Sequence, residues 1–255
     1  MKKEKIAISL DRELLALVDS KVDSSILRSR SQAIEYFLQK GIGEFAVDTA
    51  VLLLSKRHHA VAVKQLKELK NQSLLHTQLS FLLSQGITTV YLITQHSPLS
   101  EQLEQEAANT QLNFKIVEKE AKGNAQALRS VAEKLKGKSF VAMSGDIYNN
   151  FNLKQMIKKH MELGKIITMG LMTRDKPSEY GSAILDGDLI IDFREKSDKA
   201  ATHVVNAGIY ICRPEVFEFL DDSVVSLEKD LFPKIARIKQ LVGFFTHGEY
   251  IHLGE

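Results

Sequence analysis

The sequence predicts an α/β chain in two parts, a small β-α-α module over residues 1–45 and a doubly wound sheet with a mixed extension over 46–255. Three observations carry this. A strand-like alternation opens the chain and two capped, helix-periodic stretches follow it. After Gly43 the texture changes to apolar runs of strand length alternating with helical stretches. Those runs end repeatedly in small or acidic residues, as strands do where they give way to loops.

In the first part, Ile6, Ile8 and Leu10 face one way and Lys5, Ala7 and Ser9 the other, the period of a half-buried strand. Asp11 has the chemistry of an N-cap, and Leu14, Leu15, Leu17 and Val18 form the apolar stripe of a short helix fading near 22–25. Ser29 and Gln32 match a capping box. Ala33, Ile34, Phe37 and Leu38 repeat at helical spacing up to Gly41, which is read as the C-cap. So few elements bury too little to stand alone, so the segment is expected to pair with a second copy. In the second part, 50–54 and 89–94 read as buried strands flanking a helix of Leu74, Leu75, Leu79, Leu82 and Leu83. A helix over 98–108, a strand at 114–117, a helix over 125–135 and a strand at 140–143 continue the doubly wound, Rossmann-like pattern. Strands near 166–171, 182–185, 189–193 and 204–211, with helices at 214–220 and 226–239, form the extension.

The bulk numbers bound the function. The chain has 255 residues, a single cysteine (Cys212) and a formal net charge of +2, so it offers no intrachain disulfide and no global attraction for phosphates. No apolar run reaches the ~20 residues of a membrane span and 6–10 is too short for a signal core, so the expectation is a cytoplasmic protein without a membrane partner. Residues 1–45 hold eight Lys and Arg against seven Asp and Glu, so any contact with DNA there must be local.

KIAISLDRELLALVD and SRSQAIEYFL resemble the ribbon-helix-helix DNA-binding family. The resemblance implies a dimer on double-stranded DNA, with Lys3, Lys5, Ala7 and Ser9 facing base edges. It implies too that Ser29, Arg30 and Ser31 hold a backbone phosphate at the start of the second helix. A dimerisation arm with no DNA role is the plainer alternative.

From about Ala50 onward, KGNAQAL, SGD, EYGSA, FREK, VNAGIYI, SLEKDLFP and GEYIHLG occur in the order and spacing of sugar-phosphate nucleotidyltransferases. The resemblance implies that fold and a pocket for a nucleotide sugar or sugar phosphate. Gly123 would border the nucleobase and Asp146 the phosphates. Tyr180, Gly181, Glu195, Lys196, Asn206 and Gly208 would line the sugar-phosphate side, and Lys64 matches the lysine of the family's Pro-Lys element. A divalent cation is the one cofactor the pattern leaves open, with Asp146 and His252 as ligands.

The chain departs from the family at two places. The loop after the first strand reads Ser55-Lys56-Arg57-His58-His59, without the glycines that let backbone amides close on a triphosphate. His252-Leu253-Gly254 stands where the family has a second metal-binding aspartate. One reading gathers His58, His59, His252 and Asp146 into a new metal site; exposed histidines are the plainer one. The sequence is therefore read as a DNA-binding transcriptional regulator with a catalytically impaired, ligand-binding or oligomerising domain. No catalytic residue is assigned. The alternative is an active sugar-1-phosphate nucleotidyltransferase with an N-terminal dimerisation arm.

Overall fold

The computed structural model describes residues 6–22, 29–45, 47–108, 110–197, 202–245 and 247–253. The chain divides into two compact units, Met1–Ala46 and Val47–Glu255.

In the first unit, α1 (Arg12–Asp19) starts where Asp11 accepts the Leu14 amide at 2.8 Å, and it ends at Ser20, short of the expected 22–25. α2 (Arg30–Phe45) begins at Ser29, whose hydroxyl accepts the Gln32 amide at 3.2 Å. It does not stop at Gly41. The helix runs on through Gly41 and Gly43, because a helical carbonyl-to-amide ladder already in place tolerates glycine at about 1 kcal/mol per residue. Residues 6–10 carry no strand, against expectation, and Ile6 and Ile8 are 75% and 52% exposed. The described residues give that segment no ladder partner, and an extended segment without one has no ladder hydrogen bonds to hold it. Lys3 and Lys5 lie outside the described residues.

In the second unit the elements are β1 (Thr49–Leu53), α3 (His59–Val63), β2 (Gln65–Leu66), β3 (Gln72–Ser73), α4 (Leu74–Ser84), β4 (Thr89–Thr94), α5 (Ser100–Ala108), β5 (Asn113–Glu118), α6 (Asn124–Arg129), β6 (Phe140–Ser144), β7 (Ile147–Asn149), α7 (Leu153–Leu163), β8 (Ile167–Thr173), β9 (Gly181–Asp186), β10 (Leu189–Glu195), β11 (Val204–Cys212), α8 (Phe232–Arg237), β12 (Leu241–Phe245) and β13 (Tyr250–His252). The main sheet has nine strands in the order β5-β4-β1-β6-β11-β8-β12-β10-β9. Its first four strands are parallel, and β11 turns the sheet antiparallel. Strand alternation then feeds two cores. Ala50 and Leu52 of β1 pack with Leu75, Leu79 and Leu103 on one face, while Val51 packs with Ala125, Leu128, Phe232 and Ile235 on the other. Both faces are covered, which is why these strands read as unbroken apolar runs.

Three helical regions differ from expectation. Residues 125–135 split into α6 and a 3-10 turn, Ala132–Leu135, and 214–220 is a 3-10 helix, Pro214–Phe219. The 226–239 stretch is a π turn, Leu227–Leu231, leading into α8, because Pro233 lacks the amide that a regular helix would use. α7 lay outside the sequence reading although its limits were written in the chain. Asn152 accepts the Gln155 amide at 3.1 Å, and Gly164 closes the helix in the left-handed conformation.

Candidate functional site

β4 and β6 flank β1 on opposite sides, so the chain reverses direction of travel across the sheet beside β1, and a crevice opens beyond the carboxyl ends of these strands. A cleft of about 570 Å³ lies there. Its walls come from the ends of β1 (Ser55, Arg57, His58), β4 (Thr94, Gln95), the loop after β5 (Lys119, Lys122, Gly123, Asn124), β6 (Ser144, Asp146) and 225–230.

Gly123 sits where two of these walls touch. A Cβ on it would fall 2.4 Å from the Val225 carbonyl oxygen, the same oxygen that accepts the Ala125 amide at 3.0 Å. Next to it, Asn124 stitches the walls together. Its Nδ2 donates to both oxygens of Glu228, at 3.0 and 2.9 Å, and its Oδ1 accepts the Leu227 amide at 2.8 Å. Ser226 adds a hydroxyl donor to Glu228 at 3.0 Å, and Asp230 accepts the Val225 and Ser226 amides at 2.9 and 2.8 Å.

Asp146 is the half-buried acid of the opposite wall. Ser144 Oγ donates to one oxygen at 2.6 Å, while His58 Nδ1 stands 3.1 Å and His252 Nε2 3.7 Å from the other. Burial pushes this carboxyl up, but the donors from His252 and Ser144 and the nearby His58 imidazole outweigh it and hold the group at about 2. Asp146 is therefore ionised throughout the physiological range. His252 arrives on β13, which pairs with β7 so that His252 opposes Ile147, directly after Asp146.

His59 corrects the four-residue metal grouping. It turns away from Asp146 and is buried, with Nδ1 2.6 Å from Ser97 Oγ and Nε2 against Thr94 Oγ1. Burial, with the positive charge of Lys56, pulls its pKa below the ordinary range, so it is a neutral core histidine. Among the described residues no group of three or more His, Cys, Asp or Glu is arranged to hold a metal ion. The Mg²⁺ implied by the resemblance does not fit this donor set: it needs near-octahedral oxygen ligands, and here one carboxylate sits between two imidazoles.

Of the sequence-predicted ligand residues, Gly123 and Asp146 line the cleft. Tyr180, Gly181, Glu195 and Lys196 gather instead where β9 meets β10. The Lys196 amide donates to the Tyr180 carbonyl at 3.1 Å, and a Cβ on Gly181 would meet Phe193 at 2.4 Å and Glu195 Oε2 at 2.7 Å. Burial and the nearby Glu228 carboxylate push Glu195 up to about 6. Asn206 and Gly208 shape a bulge in β11: Gly208 has φ +67°, its amide donates to Asn206 Oδ1 at 2.8 Å, and Asn206 Nδ2 donates to the Tyr210 hydroxyl at 2.7 Å. That bulge points Tyr210 at the cleft. Lys64 is exposed at the end of α3, away from the cleft. The sequence places the neighbours of Gly123 at the nucleobase without singling out Asn124, and it missed Glu228, although both lie inside the KGNAQAL and SLEKDLFP segments.

In the first unit, Ala7, Ser9, Ser29, Arg30 and Ser31 are all exposed. Arg30 is engaged inside the module by a two-pronged bond to Asp19, at 2.7 and 2.6 Å, which ties α2 to α1.

Residues 58–249 match the family model described as nucleotidyl transferase. The chain belongs to the nucleotidyl transferase family. It is 30% identical over 201 residues to a mannose-1-phosphate guanylyltransferase catalytic subunit beta of Drosophila pseudoobscura pseudoobscura, covering 75% of this chain and 53% of that protein. It is 28% identical over 200 residues to a mannose-1-phosphate guanyltransferase of Saccharomyces cerevisiae, covering 75% and 55%. The chain thus spans about half the length of the curated relatives it matches. Among solved structures, a Bacillus anthracis protein in complex with sucrose superposes with a TM-score of 0.72 at 18% identity, covering 82% of this chain and 90% of that one. HddC from Yersinia pseudotuberculosis, complexed with GMP-PN, gives 0.65 at 19%, covering 82% and 95%. At such identities these likenesses establish the fold alone. The family match does not extend to residues 1–57, and among the described residues no helix is long and apolar enough to cross a membrane.

Proposed function

We propose that the nucleotidyl transferase domain binds a nucleotide sugar in the cleft, its nucleoside against Gly123 and Asn124 and its phosphates toward Arg57, and that sugar-1-phosphate nucleotidyl transfer is the reaction class this cleft serves. The observation that carries the reading is the cleft's position at the carboxyl ends of β1, β4, β5 and β6, with the family's glycine and aspartate on facing walls. The relatives' names point to a guanine nucleotide and mannose 1-phosphate as the first ligands to try. Calorimetric titration with GDP-mannose and UDP-glucose tests binding, and pyrophosphate release from GTP plus mannose 1-phosphate tests transfer. Absence of binding to either nucleotide sugar sinks the reading.

A second reading is favoured by two observations. Asp146 is already spent on Ser144, His58 and His252. Residues 6–10 lack a ladder partner, and Leu14, Leu17, Phe37 and Leu38 of the module are exposed at 44%, 61%, 41% and 50%. In this reading the domain binds without turnover, and residues 1–45 form a ribbon-helix-helix dimer on double-stranded DNA through Lys3, Lys5, Ala7, Ser9, Ser29, Arg30 and Ser31. DNA-shift assays on the region upstream of its own gene, comparing wild type with Lys5→Ala, decide it. A monomer at micromolar concentration, or equal weak binding by both proteins, removes it.

A further inference from the structure

The acids and the bases of the cleft are treated differently by the fold. All three cleft carboxylates are satisfied from within: Asp146 by Ser144, His58 and His252, Glu228 by Asn124 and Ser226, and Asp230 by two backbone amides. Arg57, Lys119, Lys122 and Lys229 line the same cleft and make no ion pair among the described residues. A hard cation needs the reverse, free carboxylate oxygens in near-octahedral array, and dehydrates only when several are supplied. Here it would have to displace both imidazoles from Asp146 or accept nitrogen ligands, which Mg²⁺ binds poorly.

The geometry points to a cleft that takes its phosphate-bearing ligand without a divalent cation, with His58 and His252 occupying the carboxylate a metal would need and Arg57, Lys119, Lys122 and Lys229 neutralising the phosphates. This rests on the binding reading above and deepens it. Cationic side chains can do this work because a guanidinium matches phosphate oxygens two at a time and an ammonium acts as a mobile point charge. The imidazoles also reduce the repulsion between the Asp146 carboxylate and an incoming phosphate, the task a bridging metal performs elsewhere.

The experiment is calorimetric titration of GDP-mannose into the full chain, once in excess EDTA and once in excess Mg²⁺, paired with electron paramagnetic resonance of Mn²⁺ added to nucleotide-free protein. The expected result is the same Kd in both buffers, within about twofold, and a Mn²⁺ spectrum unchanged by the protein. Arg57→Ala with Lys122→Ala should weaken binding about tenfold or more in both buffers alike. His252→Asp, which restores a second carboxylate, should gain Mn²⁺ binding and make GDP-mannose affinity depend on the metal. A wild-type affinity that falls about tenfold in EDTA, stoichiometric Mn²⁺ binding by the wild type, or a His252→Asp protein that gains no metal site overturns the inference. Binding only with Mg²⁺ leaves the nucleotide-sugar reading standing, whereas binding in neither buffer removes that reading and the inference with it.

Discussion

Gly123→Ala is the sharpest probe of the cleft, because the glycine is there for space and not for backbone conformation. Its φ of −167° is extended backbone that any residue adopts, so alanine brings no torsional strain. The new methyl would stand 2.4 Å from the Val225 carbonyl oxygen and 2.7 Å from Val225 Cγ1. A comfortable carbon-to-oxygen contact is about 3.3 Å, so the walls must part by about 0.9 Å. Overpacking of this kind costs about 1–3 kcal/mol. Losing the Ala125 amide bond to the same carbonyl adds about 1 kcal/mol, and the stiffer unfolded chain returns about 0.4–1 kcal/mol. The expected net loss is about 2 kcal/mol, a fall in Tm of about 4–8 °C for a domain of this size. Urea denaturation followed by circular dichroism measures it, and calorimetry with GDP-mannose should show weakened binding as the Asn124–Glu228 bridge is pulled open. An unchanged midpoint together with unchanged affinity would refute the argument that this close approach holds the cleft in shape.

Asn124→Ala removes three hydrogen bonds and leaves Glu228 with Ser226 as its remaining side-chain donor, so it should cost about 1–3 kcal/mol and weaken GDP-mannose binding, both read by the same two assays. His59→Ala should lower stability by about 2–4 kcal/mol while leaving nucleotide affinity in the folded protein within about twofold, since the imidazole is buried and does not itself line the cleft; a larger affinity loss at full occupancy of the fold would show it to shape the site. His160 is buried against Thr168 at 2.8 Å, and burial with the nearby Arg213 charge pulls it down to about 4. A histidine lowered from about 6.5 contributes stability that is fully present above pH 6.5 and is lost as pH falls toward 4, up to about 3 kcal/mol. Urea midpoints across that range should fall more steeply for wild type than for His160→Gln, and parallel curves would contradict the assignment.

Much of the sheet could be read from the chain, since β1, β6 and β8 are buried almost throughout and read as nearly continuous apolar runs. Local chemistry also placed the caps at Asp11 and Ser29. What escaped depends on contacts between distant positions. Asn124 and Glu228 are 104 residues apart, and neither residue's surroundings announce the other. β13 is three residues long and exists through its pairing with β7, so His252 could be flagged as a substitution but not seen beside Asp146. The strand expected at 6–10 is missing for the complementary reason: its alternation is real, yet a ladder requires a second strand, and the described residues of this single chain offer none to it. The run-on of α2 through two glycines shows the weakness of a C-cap read from one residue, because a left-handed cap is an option for glycine and not an obligation.

The absence of glycine after β1 has a structural consequence that bears on how the cleft can hold phosphate. Without positive-φ freedom the segment closes as a 3-10 turn, Lys56–His58, running straight into α3. Consecutive side chains on such a turn diverge by about 100–120°, which is why His58 reaches Asp146 while His59 plunges beneath the sheet. Two of the backbone amides are consumed in the same step: Lys56 donates to Gln95 Oε1 at 3.2 Å and His58 to the Ser55 carbonyl at 2.9 Å. With two amides so engaged, the turn has less backbone left to wrap an anion and the grip on phosphate shifts toward side chains, with Arg57 the one of this turn that combines a place in the cleft wall with a guanidinium. On the binding-without-turnover reading, side-chain cations suffice for a diphosphate, whereas in-line attack on a triphosphate calls for preorganised donors and charge neutralisation. Restoring glycines at 56 and 57 alone would therefore remove the cation without freeing enough amides, whereas grafting a longer glycine-rich loop together with His252→Asp is the change from which raised pyrophosphate release is expected.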